Sequence, residues 1–371
     1  MTKVRDVIQR FELFAPKEMA EHGDPIGLQL GSLDADVHRM LISLDVRPEV
    51  VAEAIRENVD FIFAHHPAMF HPVKSFDLSV PQNAMYAELL KHNITVYAAH
   101  TNLDNANGGM NDWLAAALKL DSTRPLLQIH ELPLLKLAVF VPKSAAESMR
   151  KALGEAGAGQ IGEYQQCSFS SIGQGRFTPS AQAHPVIGKS LRPEQVTGEK
   201  IEVTLPYRLK DKVLTAMLSA HPYEKPVFDL FTVGGLGEKY GMGRVGELKQ
   251  KMTIIEFAEF CKQVFSVPHL RVISKDLQQK VKKVAILGGS GGQFYPEALK
   301  SGAQVYITGD ISYHTGHDIL ANGLSVFDPG HHIEQICKTR LKQKFDVWNK
   351  EEDWQIETVS SKLNTDPFKF I

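Results

Sequence analysis

Short apolar runs alternate with amphipathic stretches along the chain, and the alternation repeats itself. Glu53 to Ala64 (EAIRENVDFIFA) and Glu297 to Thr308 (EALKSGAQVYIT) each read as a helix end, a short break and a β-rich apolar run of the kind a buried strand needs. Glu88 to Tyr97 (ELLKHNITVY) and Asp318 to Phe327 (DILANGLSVF) follow the same plan, the helix closing at Asn or Gly before the strand begins. Upstream, MLISLD at Met40 to Asp45 mirrors VAILGG at Val284 to Gly289. Three matched segments in one order predict two related α/β halves, residues 1–125 and 238–371. Strands alternating with helices imply largely parallel sheets, with ligands at the carboxyl ends of the strands.

Residues 126–237 have a different rhythm. KLAVFVP (Lys136 to Pro142) reads as a strand, and SAAESMRKALGEAG (Ser144 to Gly157) as a helix opened by a serine cap and closed by glycine. EKIEVTLP from Glu199, a helix through Leu218 and PVFDLFTV from Pro226 add strand, helix, strand, which predicts an inserted α+β domain on a ferredoxin-like plan. Between these parts, Cys167 to Pro185 is rich in Ser, Gly and Gln and reads as a long loop or hairpin. GGLGEKYGMGRVGEL (Gly234 to Leu248), with six glycines, marks the return to the second half.

Charge and composition narrow the setting. A net charge of -2, from 41 basic and 43 acidic side chains, gives no footprint for nucleic acid or an anionic membrane. The first 16 residues read as a charged amphipathic helix rather than a signal peptide, and no later run is long enough to span a bilayer. Cys167, Cys261 and Cys337 are far apart and odd in number, which suits reduced thiols in the cytoplasm. With no CxxC pair, any metal would be held by nitrogen and oxygen, and 15 histidines supply the nitrogen.

Metal-capable groups collect at the ends of the matched strands. FIFA runs into His65-His66-Pro67; ITVYAAH runs into a loop carrying Asp104 and Asp112; LSVF runs into Asp328-Pro329-Gly330-His331-His332-Ile333-Glu334. Taken singly, these are surface histidines, turn residues and a capped helix start. Taken together, the repeat places Glu334 over Asp104 and His66 over Asp310. A helix starting near His331 would put His331 and Glu334 on one face. The combination predicts a site for two divalent ions, Zn, Fe, Mn or Co, held by His65, His66, Asp104, His331 and Glu334. Such a pair can polarise a substrate oxygen and activate water near neutral pH. Asp45, His100, Asp310, His314 and His317 are candidates to stand behind the ligands or move protons. Gly288 to Gly292 (GGSGG) reads first as a tight strand-to-helix turn and second as an anion nest.

At these residues the chain resembles a known family. GLQLG (Gly27 to Gly31), FIFAHHP, AAHTNLDNANGGMND, ITGDISYH and PGHHIEQ are similar to the NIF-three-like family, whose members are often labelled GTP cyclohydrolase I type 2 homologues. The resemblance covers both outer halves in order. It implies a dinuclear metal site on the five residues above and a toroidal homo-hexamer with the metals facing an internal cavity. Many relatives place four positions between the final His and Glu, whereas His331 and Glu334 are three apart, so His332 stays open as the ligand. The insert, with AHPYEKPVFDLF (Ala220 to Phe231), resembles CutA-like or PII-like modules, which implies a small-ligand or trimer surface at Ser168 to Gly175 and His221 to Lys225; equally, HPYEKP reads as a structural turn. Two functions follow as expectations: a metal-dependent hydrolase acting on a small, nucleotide-like substrate, or a non-catalytic metal-handling or regulatory hexamer whose insert senses a small molecule.

Overall fold

A computed structural model describes residues 1–369. The chain forms two compact units, Met1–His130 together with the chain from Tyr240 onward, and Glu131–Lys239. The strands Asp121–Pro142 and Phe228–Thr253 each begin in one unit and end in the other.

The outer unit contains the repeat as two sets of five strands. One set runs in the order Gly27–Leu30, Thr95–Ala98, Phe61–Ala64, Arg39–Ser43, Glu357–Ser360. The other runs Arg271–Ile273, Ser325–Asp328, Val305–Gly309, Lys280–Ser290 and then the C-terminal part of Phe228–Thr253. Their registers coincide. Ile42 pairs with Phe63 as Ile286 pairs with Ile307. Phe63 pairs with Tyr97 as Ile307 pairs with Phe327. Even the antiparallel edges match, Gly27 against Ala98 and Arg271 against Asp328. The two sets differ at the other edge, where Glu357–Ser360 runs parallel to its neighbour and Phe228–Thr253 antiparallel.

Central strands are apolar because both faces are covered: FIFA, TVYA, VYITG and SVFD are buried at every position. On one face of the first sheet, Leu41, Ile62 and Val96 pack with Val50, Ala54, Met85 and Leu89 from the helices Pro48–Arg56 and Pro81–Lys91. On the other, Phe63 lies edge-on to Phe11 at 4.8 Å and to Phe345 at 4.9 Å. Phe11 belongs to the amphipathic N-terminal helix Val4–Glu12 and Phe345 to the long helix Ile336–Glu351, so this aromatic core joins the two halves.

The glycine-rich return segment lies within the strand Phe228–Thr253, which passes from one unit to the other. A Cβ at Gly241 would lie 1.8 Å from the Leu127 carbonyl oxygen, and one at Gly246 would lie 2.8 Å from that of Asp121. Glycine here permits close approach of two backbones rather than a turn.

Within the inner unit the order is strand, helix, strand, strand, helix, strand, with sheet order second, third, first, fourth. The segment expected as a long loop or hairpin contains the strand Phe169–Phe177, paired antiparallel with Glu194–Pro206 as in a hairpin. Its polar and glycine-rich composition reflects an edge position at which all nine residues are exposed. Ser144 does not cap its helix: the chain enters Ala146–Glu155 through a 3-10 turn, and Ala145 holds the cap position. His221 is structural, accepting from the Tyr223 amide at Nδ1 (3.1 Å) and donating from Nε2 to the Phe140 carbonyl (3.0 Å). All three cysteines are free, and no helix among the described residues is long and apolar enough to cross a membrane.

Candidate metal centre

Three strand ends of the outer unit converge, and their loops bring together His65, His66, His100, Asp104, His331 and Glu334. The side chains form three overlapping sets: His65 with His66 and His100; His66 with His331 and Glu334; His65 with Asp104 and Glu334. Within each set the donor atoms lie within 4.8 Å of one another.

An oxygen fixes every ring from behind. His65 places Nδ1 2.8 Å from the Ala99 carbonyl, His66 2.7 Å from Asp45 Oδ1, His100 2.8 Å from Asp24 Oδ1 and His331 2.7 Å from Asp310 Oδ2. An acceptor at Nδ1 holds the proton there and leaves Nε2 to face the centre, which is how ligating imidazoles are oriented. Asp310 does this from a left-handed backbone (φ 57°), a conformation that aspartate tolerates better than most residues.

His331 and Glu334 share an edge for a geometric reason. Residues His331–Gln335 form a 3-10 turn, with three residues per turn, so positions three apart stack. Glu334 Oε2 lies 3.1 Å from His331 Nε2 and 3.2 Å from His66 Nε2. His332 belongs to none of the three donor sets, and its buried Nε2 has no hydrogen-bond partner among the described residues.

Protonation follows burial and charge. Full burial pushes His65 down to about 3, so its ring is neutral. Burial opposes charging His66 as well, but bonds to Asp45 and Glu334 raise it to about 10. The bond to Glu334 raises His331 to about 9. Glu334 is held well below the usual range against its burial by His331 and His66. Asp104 goes the other way: burial and the nearby Glu334 charge raise it to about 8.

The glycines near the end of Lys280–Ser290 are the wall of this centre. A Cβ at Gly288 would stand 2.8 Å, and at Gly289 2.9 Å, from Glu334 Oε1. Gly288 N donates to Asn111 Oδ1 at 3.0 Å, and Asn111 Nδ2 donates to the Asp104 carbonyl at 3.0 Å, tying the wall to the short helix Thr101–Asn105, which carries Asp104 where the sequence suggested a loop. The positions read second as an anion nest are therefore spent on making room for a carboxylate.

Asp45 stands behind the His66 ring and Asp310 behind the His331 ring. His100 joins the donor cluster itself instead of standing behind it. His314 and His317 lie on the helix Tyr313–Ala321 and pack on the exposed Tyr313 ring, with centroids at 5.5 and 4.7 Å. Asp112 is taken by the buried Arg244, whose Nε and an Nη lie 2.6 Å from its two oxygens. Asp24 was missed: nothing in HGDPIG marks it, because its partner His100 lies far along the chain.

The family model described as Duf34/NIF3 (NGG1p interacting factor 3) matches residues 2–367. The chain belongs to this family. A Listeria monocytogenes protein named GTP cyclohydrolase 1 type 2 homolog is 45% identical over 97% of this chain and 96% of its own length. A Bacillus subtilis protein of the same name is 43% identical over 99% and 98%. Among solved structures, a Bacillus cereus protein related to NIF3 superposes with a TM-score of 0.88 at 41% identity, covering 100% of this chain and 99% of that one.

The atoms of this NIF3-family member fit a divalent cation. His65 Nε2 and Asp104 Oδ1 are buried, lie 3.6 Å apart and have no hydrogen-bond partner among the described residues, an arrangement that costs free energy unless something bridges them. The set is imidazole nitrogen and carboxylate oxygen without thiolate, which suits borderline transition metals.

Proposed function

We propose that this NIF3-family chain holds two divalent metal ions at the six-residue centre and acts as a metal-dependent hydrolase on a small, nucleotide-like substrate. The observation that carries the proposal is the pair of buried, unpartnered ligand atoms on His65 and Asp104, set beside Glu334, whose Oε2 serves His66 and His331 together. Six donors in three overlapping sets exceed what one tetrahedral ion takes and suit a dinuclear site.

Bound divalent ions supply Lewis-acid polarisation of a substrate oxygen and activation of water. The chain's own part is placement. Asp45, Asp24 and Asp310 lock three rings, the Ala99 carbonyl locks the fourth, and Gly288 and Gly289 let Glu334 reach between His66 and His331. The nucleotide-like substrate rests on the names of the relatives from Listeria monocytogenes and Bacillus subtilis.

A second reading keeps the metals and drops the turnover: a regulatory protein whose insert senses a small molecule. It is favoured by a cavity of about 630 Å³ in the inner unit, lined by Phe140, Phe177, Val196 and Tyr223 with Arg176 and Lys225. The strand order of that unit supports a ferredoxin-like plan, and with it the CutA-like or PII-like resemblance. A cytoplasmic homo-hexamer is the proposed assembly, and light scattering on the purified protein tests it.

The deciding experiment measures metal content and turnover of a nucleotide and phosphoester panel in wild type, Asp104→Ala and His331→Ala. The hydrolase reading expects two ions per chain in wild type and parallel loss of metal and turnover in both variants. Metal loss with no turnover in any form would favour the regulatory reading. A single ion after careful reconstitution would sink the dinuclear site.

A further inference from the structure

We infer that Thr365, on the C-terminal tail, is a positioning residue of the metal centre: its hydroxyl braces Asp45, and Asp45 in turn fixes the His66 ring for ligation. The inference rests on the metal-binding reading above and adds to it a part of the chain remote in sequence from every donor.

The sheet delivers the tail to this place. Glu357–Ser360 pairs parallel with Arg39–Ser43, and the Ser361 amide donates to the Ile42 carbonyl at 2.8 Å. The tail therefore leaves the sheet beside the strand end that carries Asp45. Anchors then fix its course. Glu53, 3% exposed, accepts from the Ser361 hydroxyl and from the Lys362 amide (3.1 Å), and Lys338 Nζ donates to the Leu363 carbonyl at 2.9 Å. Leu363 packs against the apolar cluster that contains Leu41 and Ile62.

Beyond these anchors Thr365 donates its hydroxyl to Asp45 Oδ2, while Asp45 Oδ1 meets His66 Nδ1 at 2.7 Å. The carboxylate is held at both oxygens. The same device occurs at His100, where Asp24 Oδ1 meets the ring and Asp24 Oδ2 accepts from the Thr101 amide (3.0 Å) and hydroxyl. Thr101 follows His100 directly in the chain, whereas Thr365 reaches Asp45 from the other end of the molecule. Ser361, Lys362 and Leu363 already secure the tail to the fold, so the Thr365 bond serves orientation rather than anchorage. Without the hydroxyl, Oδ2 loses its donor and the carboxylate can turn about χ2, loosening the ring it holds.

The test compares Thr365→Val, which keeps the shape and removes the hydroxyl, with Thr365→Ser, which restores it. Metal-free protein labelled with ¹⁵N-histidine reports the His66 Nδ1 environment; chelator competition reports metal affinity; thermal unfolding reports the fold. The expected result is a shifted His66 signal and about 10-fold weaker metal binding in Thr365→Val, the lower end for a partner that orients a ligand. Thr365→Ser should recover both, with all three proteins melting alike. An unchanged His66 signal and affinity in Thr365→Val would overturn the inference, as would equal losses in both variants. A wild type that takes up no metal would overturn the metal reading itself and this role with it. A wild type that loads normally beside an unaffected Thr365→Val removes only Thr365.

Discussion

The two halves of the outer unit share four strands in the same order and register, yet equivalent positions do opposite work. Where the first half has His66, offering a ring, the second has Asp310, which holds the His331 ring from behind. Where the first has Asp45, holding a ring, the second has Gly289, leaving room for Glu334. Asp104 and Glu334 alone among the site residues keep one chemical type at equivalent places, Glu334 buried and Asp104 partly so, and both belong to the donor cluster. A duplicated scaffold thus supplies matched anchor points, and complementary side chains at those points make one site that neither half could build alone.

Removing the two acids separately should break the comparison most visibly. Glu334 touches His66 and His331 and belongs to two donor sets, whereas Asp104 belongs to one. Glu334→Ala is expected to empty the centre after dialysis, and Asp104→Ala to leave about one ion per chain, read by elemental analysis. Equal retention in both would contradict the bridging place given to Glu334.

Stripping the metals should come next in size. A ligand that binds only the folded state at about 100-fold above its Kd adds roughly 2.7 kcal/mol, so the chelated protein should unfold at lower denaturant. Hydrogen exchange should rise at 65–67, 101–105 and 331–335 and stay unchanged in Glu131–Lys239. Uniform change across both units would argue against a local site.

Gly289→Ala tests the unequal pair directly. Its φ of 66° and the 2.9 Å approach to Glu334 Oε1 both oppose a side chain, so a loss of about 1–3 kcal/mol and weakened metal binding are expected. Stability and affinity equal to wild type would show that the wall can give way.

The smallest effect belongs to His314→Ala and His317→Ala. Both residues sit on an exposed helix against Tyr313, so metal content should be unchanged and stability should move by no more than about 0.5 kcal/mol.

Much of this centre could be read from the chain because it follows strand ends. Runs such as FIFA and LSVF are apolar throughout, and the polar residues that follow them have one place to go. The edge strands were not legible. Gly27–Leu30, Arg271–Ile273 and Glu357–Ser360 are three or four residues long and only partly buried, so they carry no apolar run. The brace at Asp24 and the tail at Thr365 left no local signal either, since each depends on a partner distant in sequence. At Gly288 and Gly289 composition alone could not reveal the space reserved for the Glu334 carboxylate.

The pairing of Glu357–Ser360 with Arg39–Ser43 also has a consequence for synthesis. A chain emerging from the ribosome exposes Arg39–Ser43 long before its edge partner Glu357–Ser360. Until Glu357–Ser360 and Thr365 have been made, the first sheet lacks its outer strand, and Asp45 lacks Thr365. The nascent N-terminal half thus waits with an open edge, the state in which strands pair with the wrong neighbour. The strand that closes that edge also delivers Thr365 to Asp45, so closing the edge and bracing Asp45 go together.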